Sequence, residues 1–299
     1  MTMASKTVSL VLGSGGARGL AHIGIIEWLE ENDFEIRSIS GSSMGALIGG
    51  IYAAGRLDAY ARWVKALEKM DVVRLLDFSF QRQGLIKGDK VMNALKNLIG
   101  DFDIEDLPVS FTAIATDVDH QREVWLNRGS LFEAVRASIA IPTFFTPVEF
   151  RGRLLLDGGL INPIPIAPTL KDKTDITIAV NLAARPEKLR QPKPQKKEED
   201  EDEGSYRDRI GEFLDSLQER FAQRDEDEAD LFDIINRSFD TMQATITRFQ
   251  LAAYSPDVIV DIPRNACASL EFYRAAEMIE LGRQRAEQVL ATYVENDGT

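Results

Sequence analysis

The chain has 299 residues, 44% of them hydrophobic, enough to bury the core of one large α/β domain or two small ones. Its formal charge of −13 argues against nucleic-acid binding, which needs a basic surface to neutralise phosphates, and against tight electrostatic docking on anionic membranes. A single cysteine, Cys267, rules out an internal disulfide, and two histidines, His22 and His120, are too few for a histidine-rich metal centre.

Thr7–Leu12 is a β-branched and leucine run that reads as a buried strand, and its apolar part is too short for a signal peptide. No run reaches the roughly 18 apolar residues of a membrane span, so a cytoplasmic enzyme is the expectation. The strand ends in Gly13-Ser14-Gly15-Gly16-Ala17-Arg18-Gly19, and Leu20–Glu31 then carries helical apolar spacing. Phe34–Ile39 reads as a second strand, followed by Gly41-Ser42-Ser43-Met44-Gly45 and a helix through Ala54. Strand, tight loop and helix, twice over, is the rhythm of a parallel α/β sheet. Helices are expected at Leu57–Lys69 and Asp89–Ile99, strands at Val109–Thr116 and Arg122–Leu126, and a further helix at Leu131–Ser138. Pro147–Leu156 reads as a hairpin turning at Arg151-Gly152, and Ile176–Leu182 as another core strand.

The composition changes abruptly after residue 184. Residues 185–205 hold three prolines and the acidic block Glu198–Glu203, a stretch that cannot bury apolar area and reads as a linker or insertion. Residues 206–254 show apolar positions three and four apart, including Leu231, Ile235, Phe239, Met242, Ile246, Phe249 and Ala253. A membrane-lying helix usually has a basic polar face, whereas Arg207–Arg220 mixes arginines with acids, so packing on the body of the protein or in a helical interface is expected. Residues 255–294 supply a last strand, Val258–Ile262, and a closing helix, which complete the core formed by residues 7–184.

Three features could carry chemistry. Gly41–Gly45 fits G-x-S-x-G, a weak signal alone, but a strand runs into it and a helix leaves it, which holds the Ser43 hydroxyl on a sharp exposed turn. A serine needs a neighbour to take its proton. His22 sits inside a helix and reads as a structural hydrogen-bonder, and His120 lies in a polar turn, so the search moves to carboxylates. Asp157-Gly158-Gly159 follows the strand Leu154–Leu156, where it reads equally as a common turn or as a base brought up at a strand end. The Gly13–Gly19 loop opens a helix, so its backbone N–H groups point outward as anion donors. A dinucleotide-binding loop would need glycine where Arg18 stands; that arginine, at a helix start, calls for an anion or a carbonyl nearby.

In this order the three features resemble the patatin-like phospholipase family, and its small bacterial members in particular. The family pattern is a glycine-rich loop with a basic residue before its last glycine, then G-x-S-x-G, then D-G-[GA]. Here these stand as Ser14-Gly15-Gly16-Ala17-Arg18-Gly19, Gly41–Gly45 and Asp157–Gly159, with Ser14 where the family usually has glycine. Arg136–Pro142 and Asn162-Pro163 extend the likeness. The resemblance implies a three-layer α/β/α fold with a mainly parallel central sheet, here carrying a C-terminal helical extension. It implies Ser43 as nucleophile, Asp157 as base and Gly15, Gly16 and Arg18 at the oxyanion site, with no metal and no cofactor. Lipid or other fatty-acyl esters are the implied substrates, cleaved through an acyl-enzyme, with transient peripheral contact with a membrane and self-association through the C-terminal helices as further expectations. An α/β-hydrolase triad is disfavoured because Ser43 lies early and no histidine follows His120. A catalytically silent regulator with the same fold is the alternative.

Overall fold

The computed structural model describes residues 5–76, 89–100, 102–142, 144–188 and 226–295. Strands β1 (Thr7–Leu12), β2 (Glu35–Ser42), β3 (Ser110–Asp117), β4 (Arg122–Leu126), β5 (Val148–Phe150), β6 (Arg153–Asp157), β7 (Ile176–Ala184) and β8 (Val258–Pro263) form one sheet. The pairs β1–β2, β2–β3, β1–β7 and β7–β8 are parallel, and the β3–β4, β3–β6 and β5–β6 pairs are antiparallel. The helices are α1 (Ala21–Glu31), α2 (Met44–Ala53), α3 (Leu57–Lys65), α4 (Lys69–Leu76), α5 (Asp89–Ile99), α6 (Leu131–Ser138), α7 (Glu226–Tyr254) and α8 (Ala275–Glu295). Residues 1–187 and 243–299 make one compact unit and 188–242 a second, so α7 belongs to the first unit from Gln243 onward. The acidic block and the apolar positions expected between 206 and 225 lie outside the described residues.

The period-two rule of a strand separates the two helical layers. Leu12 and Ile39 turn to one face, where a Cβ on Gly49 of α2 would touch both side chains. Val11 and Ala179 turn to the other, where they form a cluster with Ile164, Ile166 and Leu251 of α7. Helices therefore cover both faces of a mixed, mainly parallel sheet, the α/β/α arrangement expected.

Three local expectations change. Strand β2 continues past Ile39 to Ser42 because Ser40 and Ser42 are buried and its amides remain in the ladder with β1 and β3. The single helix expected over Leu57–Lys69 is two, α3 and α4. The apolar stripe of α7 does not face the core in its second half. Phe249 is 72% exposed, whereas Gln243 and Thr247 are buried. The surface beneath offers polar partners: Gln243 Nε2 donates to Ser14 Oγ and Gln250 Nε2 donates to Asn162 Oδ1. Burying polar atoms without partners is costly, so a polar face of the helix meets a polar floor. Among the described residues no helix is long and apolar enough to cross a membrane.

Candidate active site

Ser43 sits between β2 and α2 at φ 54° and ψ −121°, a backbone region that L-residues rarely occupy. Close approach enforces the bend. A Cβ on Gly45 would lie 2.0 Å from the Leu12 carbonyl oxygen of β1, so only glycine lets the start of α2 rest on that strand. The Ser43 amide donates to Ser138 Oγ at 2.9 Å, and that hydroxyl donates to the Ile114 carbonyl at 2.5 Å. Ser138, at the end of α6, thus ties the Ser43 turn to β3. Ser138→Ala would orphan the buried Ser43 N–H, at a cost of about 1–3 kcal/mol. The expected result is a thermal midpoint lowered by several degrees, read by calorimetry.

Strand register brings Asp157 to this turn. Residues 113–117 of β3 pair with β4 along one edge, leaving the other edge to β2 and β6 in succession. On that edge Ser42 lies opposite Ile114, and Asp157 lies opposite the next residue, Ala115. Strand β2 is parallel to β3 and β6 antiparallel, so their C-terminal ends meet tip to tip. A Cβ on Gly158 would stand 2.3 Å from the Ile114 oxygen and 2.7 Å from Ser42 Oγ, so the junction closes only with glycine there.

The Asp157 carboxyl is wholly buried. Its Oδ1 accepts the Gly159 amide at 2.7 Å, while Oδ2 is buried without a fully formed hydrogen bond. Burial pushes its pKa up to about 7, against the opposing pull of the Ser43 hydroxyl and the Gly159 amide. A carboxylate in this range, with the Ser43 hydroxyl bearing on it, is suited to exchange a proton near neutral pH.

The glycine-rich loop after β1 leaves the sheet at the same end, since β1 is parallel to β2 with Leu12 opposite Gly41. A Cβ on Gly19 would meet Met44 Cβ, next to Ser43, at 2.5 Å. Within the loop the Gly13, Ser14 and Ala17 amides donate to the carbonyls of Val180, Pro163 and Ser269. The Gly15 and Gly16 amides have no acceptor among the described residues. Arg18 is buried and turned onto backbone, with Nε on the Gly15 carbonyl and Nη1 on the Arg264 carbonyl, both at 3.0 Å. Of the two partners that its position calls for, an anion or a carbonyl, these two are carbonyls, and its contact with Gly15 shapes the loop.

Neither histidine serves the serine. His22 Nε2 lies 2.9 Å from the Gly13 carbonyl, and burial holds its pKa down to about 4, so the ring is neutral and braces the loop. The His120 side chain is 58% exposed and pairs through Nδ1 with Asp117 at 2.9 Å. Around this site the structure gives hydrogen-bonding roles to residues that the sequence reading left without one. Beside Ser138 and Gln243, Asn162 Nδ2 donates to Glu123, linking the segment after Asp157 to β4.

A family model described as patatin-like phospholipase matches residues 10–170, more than half of the chain. An uncharacterized NTE family protein of Mycobacterium bovis is 38% identical across 98% of this chain and 94% of its own length. A protein named lysophospholipase nte1, from Emericella nidulans, is 31% identical over 61% of this chain and 12% of its own length. Among solved structures, VipD from Legionella pneumophila covers 97% of this chain and 67% of its own, at a TM-score of 0.46 and 14% identity. The chain belongs to the patatin-like phospholipase family.

Proposed function

We propose that this protein is a serine acyl hydrolase of lipid esters that works through a Ser43–Asp157 dyad. The observation that carries the reading is the meeting of two strand ends, which sets the Ser43 hydroxyl against a buried carboxyl whose pKa is raised to about 7. In the forward step Ser43 Oγ attacks the acyl carbonyl carbon as its proton passes to Asp157. The carbonyl oxygen, now an oxyanion, is met by the Gly15 and Gly16 amides, with the loop braced by Arg18 and His22. The tetrahedral adduct collapses, the alcohol leaves with the proton from Asp157, and an acyl-Ser43 ester remains. Water then attacks that ester by the same route in reverse, with Asp157 as base. Similarity to proteins named lysophospholipases supports single-chain glycerophospholipids as substrates.

The purified chain should release fatty acid from lysophosphatidylcholine micelles above a Ser43→Ala control. Only the ionised carboxylate can accept the proton, so kcat/KM should climb about tenfold per pH unit below about 7 and level off above it. Release indistinguishable from the Ser43→Ala control across lysophospholipid, diacyl phospholipid and p-nitrophenyl ester would refute the reading.

A further inference from the structure

Ser14 occupies a loop position where the family pattern usually has glycine, and its hydroxyl has a partner from more than two hundred residues along the chain. Gln243, buried on α7, donates from Nε2 to Ser14 Oγ at 3.2 Å. The same nitrogen lies 2.3 Å from the point where Gly159 would carry a Cβ, and Ser14 Oγ lies 2.6 Å from it. One amide side chain therefore touches both loops of the site, the one carrying Gly15 and Gly16 and the one carrying Asp157. We propose that Gln243 is a positioning residue for catalysis, holding Ser14 so that the next two peptides aim their N–H groups at the oxyanion. The proposal rests on the hydrolase reading above.

Ser14 is held twice, through its own amide on the Pro163 carbonyl at 2.8 Å and through its hydroxyl on Gln243. Without the second hold, the peptide planes that follow can turn about the first. A single oxyanion donor is worth about 10²–10³ in rate when aligned, so a partial misalignment of two such donors loses a fraction of that. The donors act on charge that develops only in the transition state, so the loss falls on kcat and leaves KM in place. The Gln243 amide is neutral and is separated from the Asp157 carboxyl by Gly159, whose own N–H holds Oδ1. The pH midpoint of activity should stay where it is.

The test uses the full chain and p-nitrophenyl butyrate, comparing wild type, Gln243→Met, Ser14→Ala, the double variant and Ser43→Ala between pH 5 and 9. Gln243→Met keeps length and volume but cannot donate. It is expected to lower kcat about tenfold, with KM and the pH midpoint unchanged, and the double variant should be no slower than the slower single. Should Gln243→Met fold poorly, Ser14→Ala removes the same hydrogen bond from the small side and should show the same kcat loss. Unchanged kcat in both single variants, or losses that multiply in the double, would overturn the positioning role while leaving the dyad intact. Wild type no faster than Ser43→Ala would remove the hydrolase reading and this inference with it.

Discussion

Asp157→Asn should lower kcat by about 10³–10⁴-fold while raising the thermal midpoint, because one buried carboxyl is both the proposed base and a liability to the fold. The activity loss follows from removing the acidic side chain that, among the described residues, is brought to the Ser43 hydroxyl; general-base groups supply about 10²–10⁴ in rate, and a serine with no base is a weak nucleophile. The stability gain follows from linkage. In the unfolded chain the carboxyl ionises near its ordinary 3.8, and in the folded chain it holds its proton to about 7. Between these values the folded state binds more protons than the unfolded state, so wild-type stability falls as pH rises from about 4 to about 7, then stays level. The full difference corresponds to at most about 4 kcal/mol. Asparagine never ionises, keeps an oxygen for the Gly159 amide and escapes this loss. The variant and wild type should unfold together at pH 4 and separate steadily up to pH 7, as read by denaturant midpoints at several pH values. A gap that is the same at pH 4 and pH 8 would contradict a raised Asp157.

Much of the architecture is legible in the sequence because its elements are locally consistent. The run Thr7–Leu12, the span Arg122–Leu126 and the helix Leu131–Ser138 stand where pattern and propensity put them. Hairpin chemistry is as plain: Arg151 and Gly152, at φ 51° and 73°, form the turn between β5 and β6. Motif spacing also singles out Ser43 and Asp157, since a nucleophile and an acid flanked by glycines leave a mark on composition. What local pattern cannot show is that β2 and β6 share one edge of β3, which is a property of register between segments over a hundred residues apart.

The residues that hold the site in shape are harder to see. Ser138 is one serine at a helix end, and nothing beside it announces that its hydroxyl bridges Ser43 and Ile114. Helix α7 misleads for a related reason. Its spacing of Met242, Ile246, Phe249 and Ala253 reports which face is apolar, whereas the floor beneath it presents Ser14 and Asn162 and selects Gln243 and Gln250. Periodicity describes a helix by itself. Which face is buried depends on what the rest of the chain puts against it.

Replacing Ser43, the proposed nucleophile, should separate the cost of its chemistry from the cost of its backbone. Ser43→Ala and Ser43→Gly both lack the attacking oxygen, so each should lose at least about 10⁴-fold in turnover and all labelling by a fluorophosphonate probe. Their stabilities should differ. At φ 54° and ψ −121° a Cβ is strained, a condition that costs of the order of 1–3 kcal/mol and that glycine does not share. Against this, glycine loses more chain entropy on folding, by roughly 0.5–1 kcal/mol. The balance favours Ser43→Gly over Ser43→Ala by about 1 kcal/mol, measured at pH 4, where the Asp157 carboxyl is protonated in the folded state. Raising the pH adds a second effect. The Ser43 hydroxyl is one of the two groups holding the Asp157 pKa down, so both variants should push that pKa above its wild-type value and extend the fall in stability to higher pH. Ser43→Ala matching Ser43→Gly at pH 4 would mean that the turn stores no strain, and the bend would then be ordered by the Gly45 and Ser138 contacts alone.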